Sequence, residues 1–214
     1  MGVTRGRRLK QKHFIDSHKV ATGVAILGLM TWFNVWENTT AWVYFGLHGA
    51  YGLMWALKSH YFGDKQWEQK TGIGYGLVIW FGLTGYWTAP YIILSTGFEA
   101  EPWYLGLCIF TFVIGVFFHF TADMQKHITL TLRPGQLITE GVWAKSRNPN
   151  YFGELLIYLG FTALAQHWLP LAWLGVIIAV IWVPNMLKKD KSLSRYPEFA
   201  AYKKRSKLLI PYVL

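Results

Sequence analysis

Three ionisable residues share one helical face. His119, Asp123 and Lys126 stand at i, i+4 and i+7, the spacing that stacks side chains in a column along an α-helix. A histidine, a carboxylate and an amine so placed can line a ligand site. They can equally end a helix with an ordinary Asp123–Lys126 ion pair, and the spacing leaves both readings open.

A second group is denser. In Arg147-Asn148-Pro149-Asn150-Tyr151-Phe152-Gly153-Glu154, Asn148 is placed to cap a helix and Pro149 to be its first residue. The free N–H groups of such a helix start, with Arg147 beside them, suit an anion such as a phosphate. Asn150 and Glu154, four apart, bring an amide and a carboxylate onto one face a turn deeper. The alternative is ordinary capping plus one packed polar pair, but a carboxylate in an apolar layer is costly unless something answers it. A third group closes the chain: Lys188, Lys189, Lys191, Arg195, Lys203, Lys204, Arg205 and Lys207, with Tyr196-Pro197-Glu198-Phe199 and Tyr202 able to form a short helix. Such a tail is drawn to anionic lipid; if ordered over 123–150, it can also clamp a polyanionic cofactor.

The first half offers less. His48, Tyr51 and Tyr75 are polar residues within apolar stretches, and a lone histidine there is more often a packed, hydrogen-bonded residue than a catalyst. The one cysteine, Cys108, reads as packing, and no metal-ligand cluster, nucleotide loop after a strand, or hydrolytic triad motif is present.

What must position these residues is an apolar framework. Of 214 residues 53% are hydrophobic and 15% charged, against roughly 25% charged in soluble domains, and aromatic residues reach 18%. About 20 helical residues cross a hydrocarbon core of about 30 Å. Six stretches approach that length: 20–36, 41–57, 73–95, 103–122, 150–166 and 169–187. The basic start (Arg5, Arg7, Arg8, Lys10, Lys12, Lys19) has no small-residue cleavage site after it, so it reads as an uncleaved anchor.

The net charge of +10 would suggest nucleic acid in a soluble protein, but its placement points to a bilayer and to no nucleic acid. The connections 37–40, 96–102 and 167–168 contain no Lys or Arg, so six spans put all 21 on one face, the cytoplasmic one. The expectation is an all-α integral membrane bundle of six transmembrane helices with both termini cytoplasmic. It is a single domain: four spans over 20–122, a cytoplasmic loop at 123–149, a helical hairpin at 150–187 and a basic tail at 188–214.

Ala122-Asp123-Met124-Gln125-Lys126, Leu132-Arg133-Pro134-Gly135, Gly141-Val142-Trp143, the 147–154 octet, and Arg195-Tyr196-Pro197 through Ile210-Pro211 together resemble the steroid 5-alpha-reductase C-terminal family, over residues 119–214. The resemblance implies an NADPH-dependent membrane reductase that transfers hydride to an activated carbon–carbon double bond of a lipid, steroid-like or isoprenoid. It implies a basic cofactor contact at Arg133 and pocket-lining roles for Asn150 and Glu154, with Asp123, Lys126 and Tyr202 matching less closely. The remaining expected cofactor residues are His119, Arg147, Tyr151, Lys191 and Arg205. Glu154, His48 and Tyr51 are the expected catalytic groups, and no metal is expected.

The same superfamily contains methyltransferases that use S-adenosylmethionine. Their helix start carries Arg-His-Pro and their tail a pair of glutamates, where this chain has Asn148 and Lys188-Lys189-Asp190-Lys191. A cationic cofactor gains from acids and a phosphorylated dinucleotide from bases, so both departures favour the reductase. A lipid methyltransferase is the second reading and a non-catalytic membrane subunit the third. The Glu/Tyr pair with which steroid reductases polarise their substrate ketone has no recognisable counterpart here.

Overall fold

The structure is a computed structural model that describes residues 9–214; Arg5, Arg7 and Arg8 lie outside the described residues. Seven helices organise it: α1 (Gln11–Phe33), α2 (39–62), α3 (Ile73–Thr96), α4 (Pro102–Leu132), α5 (Pro149–Thr162), α6 (Trp168–Leu193) and α7 (Phe199–Arg205). Among the described residues there is no strand, only two isolated bridges. Three helices, α3, α4 and α6, are long and apolar enough to cross a membrane. Internal contacts divide the chain into two compact units, Met1–Glu99 and Ala100–Leu214.

Local chemistry explains most boundaries. Asn34 takes a left-handed conformation (φ 52°) to end α1, and Asn38 starts α2 by accepting the N–H of Ala41 at 2.7 Å. Gly97 (φ 64°) ends α3. Pro102 and Pro149 occupy the first positions of α4 and α5, where their missing N–H costs nothing. The α4 helix outruns the apolar run by ten residues: 123–132, expected as the beginning of a loop, are helical. The helix stops at Arg133, whose α conformation is disfavoured by Pro134 behind it.

Prolines also explain the irregular turns inside helices. Pro90 cannot donate to the carbonyl of Tyr86, and α3 tightens to a 3-10 turn over Gly85–Trp87 just before it. The Tyr86 oxygen faces the Tyr44 hydroxyl at 3.5 Å. Likewise Pro184 follows a π turn over Ile178–Trp182 in α6. A second π turn, Phe45–Gly49, carries His48 in α2 and has no proline to account for it.

In the first unit α1 packs on α2 and α3, and the approach is close: a β-carbon on Gly52 would stand 2.2 Å from the carbonyl oxygen of Lys19. At its polar edge Glu68 pairs with Lys10 and Lys12, and these bonds hold its carboxyl below the usual range. In the second unit α4 and α5 run together with glycine at three levels. Gly115 meets the backbone at Gly153 and Ile157; Gly153 meets His119; Gly160 meets Cys108 and Phe112. Small residues let two helices approach backbone to backbone where no hydrophobic effect drives them together.

Candidate functional site

The glycine contacts decide which side chains meet. With α5 pressed on α4 at Gly153, His119 reaches the start of α5, and its Nδ1 lies 3.1 Å from the backbone oxygen of Asn150. A carbonyl only accepts, so Nδ1 carries the hydrogen. Nε2 then faces Asp123 Oδ2 at 3.7 Å, a turn away on α4, with both side chains buried. The Asn150 Oδ1 atom is buried here without a hydrogen-bond partner. Of the expected column, His119 and Asp123 are therefore joined by Asn150, while Lys126 lies half-buried one turn on. Glu154 is half-buried a turn below Asn150, and the Tyr151 ring lies 5.4 Å from that of Trp182.

The loop after α4 is folded back on it. Gln125 grips the loop through the carbonyl of Glu140 (2.9 Å) and the N–H of Val142 (3.2 Å), filling the space a side chain at Gly141 would need. Trp143 Nε1 donates to Ala122 O at 3.2 Å. Arg133, expected at the cofactor, is exposed and pairs with Glu140, whose carboxyl is held below the usual range chiefly by that bond.

Over this loop lies the C-terminal segment. Residues 145–147 and 207 pair as in a parallel ladder, Arg147 N to Lys207 O at 2.8 Å and Lys207 N to Lys145 O at 3.0 Å. Ser146 Oγ donates to Leu209 O (2.7 Å) and Asn148 Nδ2 to Leu208 O (2.8 Å). The Tyr202 hydroxyl lies 2.6 Å from Trp143 O and 3.2 Å from Ser146 O, and burial pushes its pKa up to about 12.

Arg147 was expected to meet a phosphate. Its guanidinium instead donates to both oxygens of Asp190 (2.9 and 3.1 Å) and to Ser206 O (2.7 Å), and it is buried. Asn148 sits at the helix cap but its side chain does not cap; it accepts from Lys189 Nζ at 3.1 Å. That ammonium also donates to Arg147 O (2.8 Å) and lies 4.3 Å above the Trp143 ring. Sequence reading passed over Trp143, Lys189, Asp190 and Ser206 as parts of one knot. The only hint was that Asp190 is the single acid among the lysines of 188–191. Lys191 and Arg205 are exposed, as are Lys145, Lys188, Lys203, Lys204 and Lys207.

A family model described as "Protein of unknown function (DUF1295)" matches residues 88–208. The chain belongs to this family. No curated protein and no solved structure matches it. The DUF1295 match takes in α4, the folded loop, α5, α6 and α7, and so the whole cluster of His119, Asp123, Asn150 and Glu154 with the knot around Arg147.

The first-unit candidates of this DUF1295 protein fall outside the match. His48 is buried and bonded to the Tyr44 hydroxyl at 2.8 Å. Tyr51 is fully buried with Lys19 Nζ 4.1 Å above its ring, and Tyr75 is 58% exposed. Lys19 and Lys58, two of the 21 cations that the six-span reading puts at the cytoplasmic face, are both buried against Trp55. Among the described residues no group of three or more His, Cys, Asp or Glu side chains could hold a metal.

Proposed function

We propose that this chain is a membrane-embedded reductase that takes NADPH as hydride donor and reduces an activated carbon–carbon double bond of a lipid. The observation that carries the reading is Asn150 Oδ1, a buried acceptor without a donor, at the junction where His119 and Asp123 converge. An unanswered buried acceptor costs about 1–3 kcal/mol, and a carboxamide N–H such as that of nicotinamide would answer it. Bound there, the dinucleotide would supply the hydride. The protein's own part is to fix Asn150 through the α4–α5 glycine contacts and to offer Glu154 a turn deeper for orientation. The cations of 188–207 that remain exposed would meet its phosphates.

The same knot weighs against S-adenosylmethionine. That cofactor is cationic and gains from carboxylates, yet Asp190 in the tail is already consumed by Arg147. We further propose six spans, adding α1, α2 and 149–165 to the three helices above, with both termini cytoplasmic. Support comes from the connections 34–38, 97–101 and 166–167, which hold no Lys or Arg. The lipid substrate would enter from the bilayer.

Energy transfer from tryptophan to NADPH in the purified protein, with S-adenosylmethionine as competitor, tests the reading. NADPH should bind and S-adenosylmethionine should fail to displace it. Binding of S-adenosylmethionine alone would make the protein a methyltransferase, and binding of neither would make it a subunit without catalysis.

A further inference from the structure

His18 lies outside everything described so far. It is 2% exposed, its ring stacked on Trp87 (centroids 5.2 Å apart) and met edge-on by Trp80 (4.9 Å). Its Nε2 lies 3.3 Å from Thr84 Oγ1. Thr84 has a single hydroxyl hydrogen, which it gives to Trp80 O at 3.1 Å. With that hydrogen on Trp80 O, the histidine donates from Nε2, and in the neutral ring Nδ1 is left as a lone-pair acceptor. That Nδ1 is buried and has no hydrogen-bond partner. The adjacent Lys19 does not supply one, because its ammonium is turned to the rings of Tyr51 and Trp55.

Two further features concern access. Trp80 and Trp87 are only half-buried and belong to α3, one of the helices able to cross a bilayer. Trp87 itself sits in the 3-10 turn Gly85–Trp87, a local break of the kind that serves as a hinge. The donor that completes Nδ1 must therefore be a group that a lipid-soluble molecule can carry past two indoles. A carboxylate is excluded because it only accepts, and an ammonium pays far more for desolvation than a neutral hydroxyl does.

We propose that His18, walled by Trp80 and Trp87, is the docking point for the hydroxyl group of a lipid alcohol, which donates to His18 Nδ1. The site lies within the first unit and does not depend on the cofactor reading.

The test follows the Nδ1 resonance of His18 in protein labelled with 15N-histidine. Two probes that partition alike are compared, 1-dodecanol and dodecyl methyl ether. The alcohol should shift the Nδ1 signal saturably and the ether should not. A single neutral hydrogen bond corresponds to roughly a fivefold preference for the alcohol, read from tryptophan emission. His18→Phe should reduce that preference to parity and identifies the resonance; if it does not fold, Thr84→Val identifies the same signal by shifting it through Nε2. Equal shifts from both probes, or a shift from neither because a lone water already fills the position, would overturn the proposal.

Discussion

Gly153 and His119 touch backbone to backbone: a β-carbon on Gly153 would stand 2.2 Å from the amide nitrogen of His119. Everything at the α4–α5 junction depends on that contact, since it places the imidazole against Asn150. Gly153→Ala should destabilise the protein by about 1–3 kcal/mol through overpacking and separate His119 from Asn150. Gly106→Ala, in the same apolar stretch of α4 but with nothing within 4 Å, should be neutral or stabilising by about 0.5–1 kcal/mol. Thermal unfolding in detergent distinguishes them, and equal effects would deny the contact its role.

Arg147 and Asp190 are buried partners 43 residues apart, and the pair fastens α6 and the C-terminal segment to the start of α5. Breaking one side should cost about 3–5 kcal/mol, because the other charge is left buried. Arg147→Met and Asp190→Leu should each expose 203–205 to trypsin. The double substitution should recover much of the loss, and strict additivity would show that the two residues do not interact.

Much of this fold is legible in the sequence, for identifiable reasons. Long apolar runs bounded by Asn, Gly and Pro gave the long helices, and Asn148-Pro149 marked the start of α5. The end of α4 was misread because Asp123, Gln125 and Lys126 interrupt the apolar run without interrupting helix propensity. Lys19 looked like an interface charge since the rings that cover it, Tyr51 and Trp55, come from another helix, whereas Lys58 lies over Trp55 one turn before it on its own helix. The Arg147–Asp190 pair is a tertiary fact with no local signature, since its two partners stand 43 residues apart in the chain.

The docking of the tail should depend on pH at the alkaline end. Tyr202 is held neutral by burial, with its pKa raised to about 12 from an ordinary value near 10. A raised folded value means that its contribution is whole below pH 10 and is lost as pH climbs from 10 to 12. Release of the segment, read from the change in tryptophan emission as Trp143 loses its cover, should proceed across that window. Tyr202→Phe should flatten the dependence while costing about 1–3 kcal/mol for the carbonyls it leaves unanswered.

Glu154→Gln keeps the shape of the side chain and removes its charge. Turnover should fall well beyond any fall in yield if the carboxylate orients the bound nicotinamide. A loss confined to yield would make Glu154 a packing residue.

Asn150→Leu separates binding from stability, and it tests the cofactor reading most directly. Removing a buried acceptor without a donor should leave the melting temperature of the ligand-free protein unchanged or higher, while the Kd for NADPH rises roughly fivefold to thirtyfold. An unaltered Kd in a stably folded Asn150→Leu protein would contradict the account.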